Sequence, residues 1–308
     1  MLVSVLIPTH NRRDLLGRTL DSLAAVRVPA GVAVEVIVVA NNCTDGTEHL
    51  VAERAAAMPF PTRAVSEPAP GLNNARNRGV AEAAGDWLAF LDDDVWVAAG
   101  WLGGLVAVAQ KHDADFLGGH VELWWEAVER PAWLTRDMEW MLSNNEGGSD
   151  VYRLGPTGGL VGANFAVRRG VVDKVGFFRP DLDRVGGRLL GGGESEFVQR
   201  AVRAGFAGYY APGMSVKHWV APHRVSSAYL TGVSAGYGYA RVLMKPDWGP
   251  RAAARAVFGH LYLAVRHGLA GLAGGPAAVR HKCLATAGRG GLAAAVRRTT
   301  APRRESTP

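Results

Sequence analysis

Cysteine is nearly absent from this 308-residue chain, which holds only Cys43 and Cys283. They lie far apart and without metal-ligand spacing, which excludes a disulfide framework and a thiolate zinc site and fits a reducing compartment. No charged segment precedes an apolar run at the start, where "MLVSVLIPTHNRR" reads as five residues of strand and then a proline turn, so no secretory leader is expected. No apolar run reaches the ~18 residues a membrane span needs, because His260, Arg266 and His267 interrupt the Ala/Leu-rich tail. Glycine is missing from "PTHNRR", directly after the first strand. A nucleotidyltransferase phosphate loop and a G-x-G-x-x-G dinucleotide site both want glycine there. No internal repeat is visible. Acid is almost missing from residues 249–308, which carry ten Lys or Arg against one acid, a net +9 that leaves −3 for residues 1–248 of the chain's +6. That tail lacks the aromatic interleaving and the motifs of a nucleic-acid binder, so nucleic acid is not an expected partner. It fits an amphipathic segment lying on an anionic membrane surface, or a helical tail packed on its own domain.

What is present is a long alternation of strands and helices, with 48% hydrophobic residues to bury in one large core or two modest ones. Strands are expected at 2–7, 32–40, 62–66 and 87–91, and helices follow them. "NRRDLLGRTLDSLAAV" sets Leu15, Leu16, Thr19, Leu20 and Leu23 at helical spacing, and a helix is expected from about Asn73 to Ala84. Asp45 is expected to cap the helix that begins near Glu48. This pattern predicts an α/β fold with a mostly parallel central sheet, whose ligand crevice lies beyond the carboxyl ends of the strands. Residues 1–240 are expected to form the main domain and 241–308 a basic helical extension. Past residue 120 the sequence becomes crowded with Trp124, Trp125, Trp133 and Trp140, which suits either core packing or a wall for the apolar faces of a sugar.

The densest chemistry is in "GDWLAFLDDDV", residues 85–95, where a fully apolar strand ends in three aspartates. Side chains alternate along a strand, so Asp92 and Asp94 point together and Asp93 points away. Two carboxylates aimed at one place repel unless a proton or hard cation lies between them, and oxygen ligands suit Mg²⁺ or Mn²⁺.

The ordered segments "SVLIPTHNR", "VVANNCTDGT", "PGLNNARNRGVAEAAGDWLAFLDDDV", "GANFAVRR", "GGGESEF" and "VKHWVAPHR" together resemble the successive motifs of bacterial family 2 glycosyltransferases with the GT-A fold, over roughly residues 3–240. The resemblance implies transfer of a sugar from a nucleoside diphosphate sugar, with inversion, to a polysaccharide, lipid-linked or small-molecule acceptor. It also implies a divalent cation on the diphosphate. The three aspartates resemble the family's DxD motif, with Asp94 coordinating the metal and Asp92 serving the ribose or a metal-bound water. His218 would complete the metal's shell. Thr9 and His10 would line the nucleotide base and Asn41 would bond its edge, although Ala40 stands where the family usually has aspartate. Arg76 and Asn77, at a loop-to-helix entry, are candidates for the donor's phosphate or base. Trp124, Trp125, Asn164, Glu196 and Arg224 are candidates for acceptor and sugar contacts. The family commonly reads Glu-Asp where this chain reads Glu194 and Ser195, so Glu194 becomes the candidate base, with Glu196 the other acid in reach and a bond from Glu196 to Arg200 its structural alternative. Ala40 and Ser195 also suit a nucleotide-sugar-binding protein without turnover. A cytoplasmic location is expected, with the tail placing the protein peripherally on the inner face of the cell membrane.

Overall fold

The computed structural model describes residues 1–155, 160–183, 189–245, 248–272 and 277–300; the final residues of the basic tail, 301–308, lie outside the described residues. Along the chain come β1 (Leu2–Thr9), α1 (Arg13–Ala24), β2 (Ala33–Asn41), α2 (Thr47–Ala55), β3 (Thr62–Glu67), α3 (Leu72–Glu82) and β4 (Trp87–Leu91). Then follow β5 (Val95–Val97), α4 (Trp101–Lys111), β6 (Phe116–Trp124), β7 (Tyr152–Arg153), β8 (Asn164–Arg168), α5 (Arg169–Val175), α6 (Gly193–Arg203) and β9 (Gly208–Trp219). Three longer helices close the chain: α7 (Ser227–Leu243), α8 (Pro250–Leu272) and α9 (Ala278–Thr300). The strands join one sheet in the order β3-β2-β1-β4-β8-β6-β9-β5, with β7 on β9.

The contacts divide the chain into two units. The first comprises the described residues of Met1–Val128, Leu142–Asp183 and Gly193–Val220, and the second those of Glu129–Met141, Arg184–Gly192 and Ala221–Pro308. Residue 240, the expected boundary, lies inside α7, and the second unit gathers α7, α8 and α9.

Period-2 alternation builds the layers of the first unit. Val3, Val5 and Ile7 of β1 face one way, with Leu16, Leu20 and Leu23 of α1 and Trp101 and Leu105 of α4 covering them. Leu6, Leu88 and Phe90 face the other way, under α3, α5 and α6. Each fully buried leucine of α1 contributes about 1.5–3 kcal/mol, enough to hold a helix that has no side-chain cap. β4 is buried along its whole length, as its unbroken apolar run predicts. The parallel order expected for the sheet holds from β3 through β4, and β6 runs parallel to β9. β8 enters antiparallel to both β4 and β6. At the carboxyl ends the direction of winding reverses between β1 and β4, which opens a crevice there.

The β6–β9 ladder breaks once: Gly119 pairs with Ala211 but His120 pairs with Ser215, so Pro212–Met214 bulge outward. Asn164 spans the bulge, donating to His120 O at 2.9 Å and Met214 O at 2.7 Å while accepting from Trp101 Nε1 at 2.8 Å. A side chain on Gly119 would overlap the Asn164 amide. Asn164 was expected at the sugar site; it is fully buried and engaged at both ends, and its role is to join α4, β6 and β9 across β8. Asn164→Ala should remove three buried hydrogen bonds and lower the unfolding free energy by about 3 kcal/mol in a urea titration followed by tryptophan fluorescence. A loss under about 1 kcal/mol would show that the bulge holds without it.

Candidate active site

At the mouth of β1 and β4 the three aspartates divide as strand alternation predicts. Asp93 turns toward β1, accepting from Thr9 Oγ1 at 2.7 Å and from Arg12 Nη1 at 2.6 Å. Asp94 accepts from Arg12 Nη2 at 2.6 Å through one oxygen and lies 3.2 Å from His218 Nε2 through the other. Asp92 reaches the same imidazole at 3.9 Å, and one ligand atom from each of Asp92, Asp94 and His218 lies within 4.8 Å of the others.

Local pairing explains why residues so distant in sequence meet. Thr19 of α1 donates to Asp93 O and accepts from Val95 N, pinning the turn that leads into β5. β5 then pairs antiparallel with β9 in a register that sets Val95 opposite His218, and Trp219 N donates to Asp94 O at 2.9 Å. Alternation along β9 therefore delivers the imidazole beside Asp94.

Electrostatics sharpen the arrangement. Burial pushes the Asp93 carboxyl up to about 7, with Asp94 and Asp92 adding to the rise while Arg12 and the Thr9 hydroxyl oppose it. For Arg12, burial acts against the charge, but Asp94 and Asp93 outweigh it and hold the guanidinium above the ordinary arginine range. The guanidinium thus bridges two buried acids and orients Asp94. Nothing in the sequence reading assigned Arg12 a role. The signal was a cation three residues past the end of β1, with acids at the end of the strand beside it.

A second constellation surrounds Arg76, which is 2% exposed with its guanidinium beside the Phe165 and Phe178 rings. Arg76 Nη1 lies 2.7 Å from Glu194 Oε1 and donates to Asn73 Oδ1 at 3.2 Å. A side chain on Gly162 would overlap Glu194 and Arg76, and one on Gly193 would overlap the Asn73 amide. The glycines of "GGGESEF" and "GANF" thus allow close approach at the first turn of α6. The next residue, Ala163, accepts at 3.4 Å from Asp92 N, so residues 162–163 connect this cluster to the acidic turn.

Several of the expected site residues have partners within the protein. Arg76 pairs with Glu194 through its Nη1. Asn77 exchanges two hydrogen bonds with the Phe178 backbone, both at 2.9 Å, and clamps that loop instead of meeting a donor. Both Asn41 amide hydrogens go to Glu67 O and Ala69 O and its oxygen accepts from Gly71 N, so it braces the β3–α3 loop and has no donor left for a base. Glu196 holds Arg200 at 2.9 Å, the structural alternative expected for it, and Arg200 in turn reaches the carbonyls of Val175, Gly176 and Phe177. The Thr9 hydroxyl is taken by Asp93. His10 remains exposed with Nδ1 2.6 Å from Asn41 O, at the rim of the crevice. Trp124 carries the Arg18 guanidinium 4.6 Å above its ring and meets Trp96 edge-on, while Trp125 beside it is half-buried. Arg224 belongs to the second unit, in a short turn of helix over Pro222–Val225. Asp45 bonds Thr47 N from one residue before the helix cap, which is Gly46 in a left-handed conformation.

A family model for glycosyl transferase family 2 matches residues 4–176, more than half of the chain. The chain belongs to glycosyl transferase family 2. The family span includes Arg76 and the three aspartates and ends before Glu194 and His218. Glycosyltransferase AglE of Haloferax volcanii is 28% identical over 67% of this chain and 62% of its own length. The succinoglycan biosynthesis protein ExoM of Rhizobium meliloti is 29% identical over 79% of this chain and 75% of its own. The chain therefore spans less than two thirds of AglE. Among solved structures, a mannosyltransferase from Pyrobaculum calidifontis in complex with GDP-Man and Mn²⁺ superposes with a TM-score of 0.64 at 20% identity, over 97% of this chain and 87% of that one. GalNAc-T7 with UDP, GalNAc and Mn²⁺ gives 0.60 at 19% identity, over 88% and 51%. These likenesses establish the GT-A fold.

Two carboxylates and one imidazole converging from β4 and β9 form a donor set that fits a divalent cation of the Mg²⁺ or Mn²⁺ type. Removing Arg12 should expose how much the acids depend on it. Arg12→Ala should lower the melting temperature in EDTA, by about 3 kcal/mol of unfolding free energy at the transition, because it leaves buried carboxylates uncompensated. Millimolar Mn²⁺ should restore part of the loss in the same differential scanning measurement, and an unchanged melt in EDTA would remove Arg12 from this role.

Proposed function

We propose that this chain transfers a sugar from a nucleoside diphosphate sugar to an acceptor hydroxyl, with inversion at the anomeric carbon and with a divalent cation held by Asp92, Asp94 and His218. The observation that carries the reading is the convergence of those three side chains at the carboxyl end of β4, in the crevice where an α/β sheet binds its ligands. Solved relatives of the fold hold GDP-Man with Mn²⁺, UDP with Mn²⁺, and UDP-GlcNAc, which supports a nucleotide-sugar donor and Mn²⁺ or Mg²⁺. ExoM's part in succinoglycan biosynthesis supports a carbohydrate acceptor.

The residues divide the work by charge. As the bond between the anomeric carbon and the diphosphate oxygen breaks, negative charge accumulates on the leaving group, and a bound cation supplies the neutralisation. Asp94 is turned toward the cation position by Arg12, which grips its other oxygen. We assign to Asp92, partly exposed beside the same imidazole, a contact with the donor's ribose or with a water that a bound cation would carry. The acceptor hydroxyl attacks the face of the sugar opposite the diphosphate and passes its proton to a base. We assign that base to Glu194, since Ser195 beside it is a poor proton acceptor at neutral pH. Arg76 fixes the direction of the Glu194 carboxylate through Oε1.

A nucleoside diphosphate release assay over a panel of UDP-, GDP- and dTDP-sugars with Mn²⁺ or Mg²⁺ tests this. Slow donor hydrolysis is expected, abolished by EDTA and reduced at least ~100-fold in Asp94→Ala. Turnover that neither EDTA nor Asp94→Ala changes would overturn the metal assignment. Glu194→Gln should still bind nucleotide by calorimetry but lose transfer to acceptor by about 10²–10⁴-fold. Transfer within threefold of wild type would place the base elsewhere, and binding without release from any donor by the wild type would favour a non-catalytic nucleotide-sugar-binding protein.

A further inference from the structure

The helix α8 has two unlike faces. On one, Ala253 and Ala256 are buried, and the small residues of α9 allow close packing: a side chain on Gly288 would come within 2.7 Å of the His260 and Ala264 backbone, and one on Gly291 would overlap the His260 ring. On the other, Phe258, Leu261, Tyr262, Val265, Leu269 and Leu272 are exposed, from 44% at Leu261 to 82% at Leu272. Their spacing places all six within an arc of about 100° on a 3.6-residue helix, opposite the packed face.

Charge is arranged along the edge of that stripe. Arg251, Arg255 and Arg266 are exposed and fall on the same half of the helix, and Arg266 lies over the Tyr262 ring with Nη1 3.2 Å from its hydroxyl. Residues 248–300 contain eight Lys or Arg and neither Asp nor Glu. Among the described residues no helix is long and apolar enough to cross a membrane. A contiguous apolar stripe with aromatic residues, bordered by arginine and without acid, is the pattern of a helix that lies in the plane of a bilayer interface. A second copy of this chain on the same face would bring like-charged arginines together, whereas anionic headgroups would neutralise them.

We infer that α8 is a membrane-surface anchor that docks flat on anionic phospholipid, with Phe258, Tyr262, Val265 and Leu269 inserted and Arg251, Arg255 and Arg266 on the headgroups. This inference does not depend on the reaction assigned above. The test is flotation of the full chain with vesicles of phosphatidylcholine alone or with about a third phosphatidylglycerol. Wild type should float with the anionic vesicles only and detach as salt rises. Phe258→Ser with Leu269→Ser should weaken binding at least ~10-fold, and Arg251→Glu with Arg255→Glu and Arg266→Glu on the order of 100-fold, with donor hydrolysis and melting temperature unchanged. Hydrogen–deuterium exchange of the wild type should show protection across residues 258–272 on adding anionic vesicles, a readout that needs no variant. Failure of the wild type to bind, equal flotation of both variants, or no protection would overturn the inference. So would a dimer that Phe258→Ser with Leu269→Ser converts to monomer, since the face would then belong to a second copy.

Discussion

Three adjacent carboxylates at the end of a buried strand are tolerable only because a cation sits among them, and in this fold that cation is first of all Arg12. Its planar fork reaches Asp93 with one nitrogen and Asp94 with the other, at 2.6 Å each. The bridge settles which acid is structural and which faces the crevice. Asp93 is tied to β1 by Thr9 and Arg12, while Asp94 keeps an oxygen turned toward His218. The geometry of the proposed metal position therefore follows from an ion-pair bridge made by protein alone.

Much of this was legible in the sequence because it follows from periodicity. A five-residue apolar run reads as a strand buried on both faces, and alternation past its end separates Asp93 from Asp92 and Asp94 with no knowledge of the fold. His218 on an alternating segment was recognisable in the same way. Its register against β5, and hence its approach to Asp94, was not, because strand pairing across more than a hundred residues leaves no local mark. Arg12 was overlooked for a related reason: its partners lie 81 and 82 residues away.

The polar residues that bond within the protein share one cause. Asn41, Asn77, Asn164 and Glu196 lie within motifs that resemble ligand-binding segments, and a buried amide or carboxylate in such a segment looks the same whether it meets a ligand or a carbonyl. A buried polar group must be paired, and here loops and a bulge supplied unpaired backbone groups close by. Asn164 illustrates the point, since its donors answer carbonyls on the two strands at a break in the β6–β9 ladder. Only the course of the backbone shows where such carbonyls arise.

The order in which the ribosome delivers these residues adds a consequence to the Arg12 bridge. Arg12 has left the tunnel long before the acidic turn is synthesised, whereas His218 arrives more than a hundred residues after Asp94. A nascent chain that has produced β1 to β4 can already close its guanidinium over Asp93 and Asp94, so the half-made sheet need not hold bare carboxylates while β9 is awaited. The built-in counterion thus gives Asp93 and Asp94 a partner during the protein's own biosynthesis.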